Sequence, residues 1–368
     1  MGKRFGLRIF FTIFFLSHYF YLAAQVSAPA YSNEFLSIGV GARSLGMGTA
    51  QVAVATDATA GYWNPASLIN LQTPYDVSLM HAEYFGGVAA YDFAGFALAM
   101  DSLSSAGLSL IRFGVDDIPD TRYLYDANGA INYDNIRFFS AADYGFLFSY
   151  ARKIPVIEGL SLGGNLKVIY RKAGDFAQAW GFGLDAAALL QRDKWKFGLM
   201  ARDVSGTFNA WTHSRHLLDD VYQRTGNTLP ENAVELTLPQ AILGVARHIV
   251  DRETWGLSAA TDWRMTFDGK RNVLLKSRVL SIDPAFGMEF EYKEKLFVRS
   301  GVSRFQQLTL PGGQTQYTVA PDFGMGVAFG IVRIDYALTN LAGFSDSLYS
   351  HIFSLNIKLN EELLRGEK

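Results

Sequence analysis

From Tyr75 to Asn360 the sequence breaks into segments of about ten residues, the length of a membrane-spanning strand, in which apolar and polar residues alternate. That rhythm is the tightest constraint on what the chain can become. The last segment is the cleanest: Phe353, Leu355, Ile357 and Leu359 fall on one face, and Ser354, Asn356 and Lys358 on the other. A period of two with an apolar outer and polar inner face is what lipid outside and a wet lumen inside demand, because only a closed sheet satisfies every backbone group within a bilayer. The same reading places strands near 75–84, 87–100, 106–114, 140–152, 159–171, 178–191, 194–203, 238–249, 255–265, 281–292, 295–306, 318–328, 331–340 and 351–360. Gly and Ala dilute many of these alternations.

The connections follow a second rhythm. If the first strand runs outward, the inner turns are short, at 152–158, 192–193, 250–254, 293–294 and Gly330, while the outer loops include 115–139, 204–237, 266–280, 307–317 and 341–350. Bacterial outer-membrane barrels pair short periplasmic turns with longer outer loops, and closure removes sheet edges that invite aggregation. The sequence therefore predicts an all-β fold: a transmembrane antiparallel β-barrel of about 14 strands over 75–360, with 361–368 as a periplasmic tail. A soluble all-β protein is the competing reading. Aromatics at 14% supply rings for girdles at the two membrane interfaces.

Residues 1–24 read as a secretory signal. Lys3, Arg4 and Arg8 precede an apolar run from Ile9 to Tyr21, and Leu22-Ala23-Ala24 supplies small residues before Gln25. The chain has no Cys, which excludes disulfides, a lipidated Cys and a Cys-based metal site.

Residues 25–74 break the pattern. Gly39, Gly41, Gly46, Gly48 and Gly61 crowd among small residues with one cation at Arg43 and one anion at Asp57, and Tyr62-Trp63-Asn64-Pro65-Ala66 follows. Glycine at this density implies tight turns or backbone pressed against other atoms. A barrel of this width cannot be filled by its own side chains, so the segment is expected to plug it from the periplasmic mouth. The expected plug residues are Gly39, Gly41, Arg43, Gly46, Met47, Gly48, Asp57, Trp63, Asn64, Pro65 and Ala66, with Arg43 and Asp57 pairing lumen charges such as Lys358.

The run Phe35-Leu36-x-Ile38-Gly39-x-Gly41-Ala42-Arg43-x-x-Gly46-Met47-Gly48-x-Ala50, with Asp57 and Tyr62 to Leu68 behind it, resembles the N-terminal signature of the PorV/PorQ family. That resemblance implies a FadL-like barrel serving the type IX secretion system. It would shuttle or anchor exported proteins at the outer membrane beside a large translocon barrel. The alternative is a FadL-like channel for hydrophobic small molecules, with such a ligand in the lumen.

Other chemistry finds little support. Gly159-Leu160-Ser161-Leu162-Gly163 matches a serine-hydrolase motif, but the alternation runs through it with no helix behind. His213 and His216 sit in what reads as a flexible outer loop, a poor setting for a metal. The glycines of 39–48 lack the strand, helix and βαβ units of a nucleotide fold, and no basic patch suits nucleic acid. The expectation is a protein without catalysis, cofactor or metal. In the outer loop 115–139, Tyr123, Tyr125, Tyr133 and Phe138 stand among aspartates as a candidate surface for a protein partner.

Overall fold

The computed structural model describes residues 32–84, 86–126, 128–226, 228, 233–309, 314–339 and 350–360. The signal segment, the leader as far as Tyr31, Phe85 and the tail 361–368 lie outside the described residues, as do most of 341–350 and part of 307–317.

Among the described residues seventeen strands form one sheet. In chain order they are β1 Tyr75–Tyr84, β2 Ala89–Ala99, β3 Ser104–Asp120, β4 Arg137–Lys153, β5 Leu160–Ala173, β6 Ala177–Arg192, β7 Trp195–Arg202, β8 Thr207–His213 and β9 Val234–Thr237. Then follow β10 Gln240–Asp251, β11 Trp255–Thr266, β12 Leu275–Lys276, β13 Ser281–Tyr292, β14 Leu296–Thr309, β15 Thr315–Phe329, β16 Val332–Thr339 and β17 Ser350–Leu359. Fourteen of them, all but β8, β9 and β12, are antiparallel neighbours around a ring that closes where Tyr75 of β1 faces Leu359 of β17. Each of the fourteen overlaps one of the segments read from the sequence.

Alternation explains the wall. On β1 the inward Asp76, Ser78, Met80, Ala82 and Tyr84 are buried, while Val77, Leu79, His81 and Glu83 face out. Phe96, Leu108, Phe148, Leu166, Phe182, Leu199, Phe290 and Val298 continue the exposed apolar belt around the barrel. Large apolar side chains left in the open are costly in water and suited to lipid. Rings gather at its margins: Tyr144, Tyr170 and Trp180 stack in series at 6.2 and 4.7 Å near the outer end, and Trp195, Trp255 and Tyr292 lie near the short-turn end. Short turns close the periplasmic side; Lys293 and Glu294 both take positive φ, 52° and 55°, the type I′ geometry that matches strand twist.

Two loops differ from expectation. The 115–139 connection is shorter, because β3 and β4 extend beyond the belt as far as the pair Asp120 and Arg137. The 204–237 connection, read as a flexible loop, carries β8, an α-helix Arg215–Thr225 and β9. The cause is the short β7: above Arg202 the upper half of β6 would lose its partner, and β8 takes that place, pairing Ala177 with His213 and Phe182 with Phe208.

Candidate functional site

The segment before β1 fills the lumen. Ser32 and Asn33 hydrogen-bond Glu235, Asn209 and Thr237 at the outer end, and Asn70 meets Gln191 at the periplasmic end. The plug thus runs the depth of the barrel and is not confined to the periplasmic mouth. Its regular pieces are short: a 3₁₀ turn Glu34–Ser37, helices Ala42–Gly46 and Ala60–Trp63, and a 3₁₀ helix Pro65–Asn70.

The Asn64-Pro65-Ala66 turn is built as its residue types suggest. Asn64 caps the last helix by accepting from Ala66 N–H at 3.1 Å, and its amide donates to the carbonyls of Val52 and Ala188 at 2.9 and 3.1 Å. Pro65 takes the first helical position, where no N–H is needed. Trp63 is 1% exposed and donates its indole N–H to Val40 O at 2.9 Å. Small residues allow the approach to the wall: a Cβ on Gly46 would stand 2.8 Å from the Cα of Gly324, and Gly48, at φ 64°, has no room beside Val302 N. Gly39, Gly41, Met47 and Ala66 are buried in the same lumen.

Arg43 and Asp57 do pair with wall charges, but not with Lys358, which bonds Gln72 at 2.5 Å. Arg43 grips Glu289 with two hydrogen bonds of 2.8 Å. Glu289 accepts from Arg299 at 2.6 Å, Arg299 donates to Asp335 at 2.7 Å, and Arg333 bridges Asp335 and Asp57 at 2.8 Å each. The ladder begins and ends on the plug and contains three cations and three anions. Burial alone would depress Arg43 and raise Asp57; the opposite charges outweigh it, so Glu289 raises the guanidinium above its ordinary value and Arg333 holds the Asp57 carboxyl below its own. The four wall members were not singled out by sequence. Their signal was there: charges at inward positions of β13, β14 and β16, where a lumen filled only with water would not require complementary pairs.

Between the plug and the wall lies a cavity of about 280 Å³. Glu34, Ser37, Ile38, Thr49 and Trp63 bound it from the plug, and Tyr84, Ile242, Asp262 and Arg264 from the wall. It extends to a seam. The β13–β14 ladder stops at Phe286 and Val302; above it β13 pairs with β11 and, at Ile282 and Ser281, with β12, while β14 pairs with β15. Asp283, Pro284 and Ala285 line the cavity on one side of the seam, Ser303 and Arg304 on the other. The seam has local causes. Pro284 cannot donate to a ladder, and a bulge between Ser303 and Gln306 puts Arg304 at φ 51°. Outside it, Phe286 meets Trp263 and Phe305 edge-on at 6.1 Å each.

Tyr123, Tyr125, Tyr133 and Phe138 stand far from this site, 48 to 73% exposed beyond the outer end. Among the described residues no group of His, Asp and Glu could hold a metal ion.

No protein-family model matches the sequence, and no curated protein does. Solved structures do. The Ralstonia pickettii toluene transporter TbuX is 16% identical, with 88% of this chain and 99% of that one covered at a TM-score of 0.54. The monoaromatic hydrocarbon channel CymD is 14% identical over 88% and 98%, at 0.56. A Pseudomonas aeruginosa FadL homologue is 13% identical over 86% and 97%, at 0.50. At these identities the likeness is one of fold: the chain is a multi-pass outer-membrane β-barrel of fourteen strands, FadL-like in architecture.

Proposed function

We propose that the protein is a plugged outer-membrane channel admitting small, largely apolar molecules. The observation that carries this reading is the cavity beside Trp63, which reaches the wall at a seam flanked on the lipid side by Trp263, Phe286 and Phe305. A solute held by the aromatic rim outside has a route of small side chains, Pro284 and Ala285, to the space beside the plug. The similar folds of a toluene transporter and a hydrocarbon channel support the same reading.

A role in type IX secretion is the second reading. Its support is the PorV/PorQ-like run of 35–68 and the exposed rings of Tyr123, Tyr125, Tyr133 and Phe138, rigid contact area of the kind protein partners use. One set of cells tests both. Cells carrying the protein should take up a labelled monoaromatic hydrocarbon faster than cells without it, and Ala285→Trp, which fills the cavity, should abolish the gain. Uptake independent of the protein would overturn the channel; recovery of a large translocon barrel or exported cargo on the tagged chain, lost when the four rings become Ser, would then favour secretion.

A further inference from the structure

Two outer loops of the barrel carry opposite charge. Loop 115–139 has five aspartates against two arginines, and both arginines are engaged, Arg122 with Asp120 and Arg137 with the ring of Tyr123. Loop 266–280, between β11 and β13, has Lys270, Arg271, Lys276 and Arg278 against Asp268 alone. Asp268 is taken by Arg271 at 2.6 Å. Lys270, Lys276 and Arg278 are exposed, and among the described residues none of the three has an ion-pair partner. The same loop is apolar toward the lipid. Ile282 of β13 pairs with Met265 of β11 and with Leu275 of β12, so the exposed Leu275 continues the outward row above Trp263. Phe267, just past β11, and Val279, in the β12–β13 turn, are exposed as well. The loop is held in place: Asn272 accepts from the N–H of Gln307 on β14 at 3.2 Å, and Ser281 accepts from that of Arg271 at 3.0 Å. It therefore runs from β13 across to β14 and forms the outer edge of the seam.

An exposed cation suits any anion, and an exposed apolar side chain suits lipid or protein. Side by side on one loop, at the level where the lipid-facing belt ends, they call for a ligand that is anionic at its head and apolar below it. We propose that this loop binds a phosphorylated lipid of the outer leaflet. Its phosphates meet Lys270, Lys276 and Arg278, and its acyl chains descend past Phe267 and Leu275 onto the belt. Lys and Arg suit this place because their stems lie along apolar surface while the charged ends stay in the head-group layer. The bound lipid stands at the outer edge of the seam. Such binding needs only the outer-membrane position of the barrel and is independent of whether solutes pass the seam.

The test is titration of the purified full-length barrel in neutral detergent with three probes: diphosphoryl lipid A, the same lipid with its phosphates removed, and inorganic phosphate. Diphosphoryl lipid A should bind tightest, its phosphate-free form at least about tenfold weaker, and inorganic phosphate weakest because it lacks the chains. Each cation removed should weaken diphosphoryl lipid A about fivefold, so Lys270→Gln, Lys276→Gln and Arg278→Gln together should weaken it about a hundredfold. Lys270→Arg with Lys276→Arg should keep the affinity. Phe267→Ser with Leu275→Ser should weaken both lipids and leave inorganic phosphate unchanged. Removing three cations from the short-turn end instead, by Arg252→Gln, Lys293→Gln and Lys295→Gln, should leave the titration as it was. Heat-modifiable gel migration checks that each variant has folded, and the ranking of the three probes on the unaltered protein stands without any variant. Equal affinity for the phosphate-free lipid, an unchanged titration in the triple loop variant, or the same loss from the short-turn variant would overturn the site. So would recovery of a protein on the tagged chain that depends on the three loop cations while lipid affinity does not, which would assign the loop to a protein partner.

Discussion

The two sides of the plug are held by different physics. Toward β17 and β1 to β5 the contact is dry and large: Leu45, Tyr62, Trp63 and Leu68 pack with Met80, Tyr91, Phe93, Ile111, Leu147 and Ile169 in one apolar cluster. Toward β10 to β16 the apolar contacts shrink to Ile242 in a cluster with Val52 and to the alanines Ala246, Ala260 and Ala285 around Met47 and Val54. There the ion-pair ladder and the cavity take over. Dispersion and burial act over area and have no single weak bond, whereas a charge ladder can come apart pair by pair once water reaches it. The contrast predicts a plug anchored on one side and releasable on the other, with the releasable side facing the seam.

Removing the anchor should have the largest effect. Trp63→Ala takes out the largest fully buried side chain, along with its hydrogen bond to Val40, and truncations of this kind cost about 3–5 kcal/mol. The plug should become cleavable by protease within 34–68 while the barrel stays folded, and small polar solutes should leak through reconstituted vesicles. A protected plug in this variant would mean that the apolar side is not the anchor.

Breaking the ladder should do less. Arg43→Met removes one cation, but Glu289 keeps Arg299, so the loss should fall below the roughly 3 kcal/mol at the low end for a buried charge left wholly unpaired. Protease cleavage should then start in the half of the plug that meets β13 to β16, around Gly46 to Val54, with the Trp63 side still protected. Uniform cleavage along 34–68 would show that the two sides are not independent.

What the sequence made legible follows the same division. The fourteen strands were readable because lipid imposes a period of two on every one of them, and a local rule leaves a local signal. The plug was readable because its glycines and Asn64-Pro65 encode their own geometry. The pairings between plug and wall were not, since Arg43 and Glu289 lie 246 positions apart and only the closed barrel brings them together. The many strand glycines that blurred the alternation have the same origin: Gly324 and Gly301 are where the plug backbone touches the wall. The seam left a trace that could have been used, because Pro284 inside a strand pattern argues for a local loss of pairing. The 204–237 region left none, as β8 forms there only because β7 ends early.

Acid should reach the ladder last and least. Asp57 is its only plug carboxylate, accepting from Arg333 at one oxygen and from Thr59 at the other, with Arg43 also near enough to stabilise its charge. Its folded-state pKa is lowered from the ordinary carboxyl value, so the stability it contributes is fully present above the unfolded pKa of about 3.9 and is lost as pH falls through the lower folded value. The share of plug protection that Asp57→Asn removes should therefore be the same at pH 8 and pH 5 and fall only below about pH 4. Asp57→Asn should loosen the β16 side modestly at neutral pH, because Arg333 keeps Asp335, and should flatten the acid response. A plug that already loosens between pH 7 and 5, with that change abolished by Asp57→Asn, would mean that Arg333 does not hold the carboxylate in its charged form, and the ladder would lose its plug-side end.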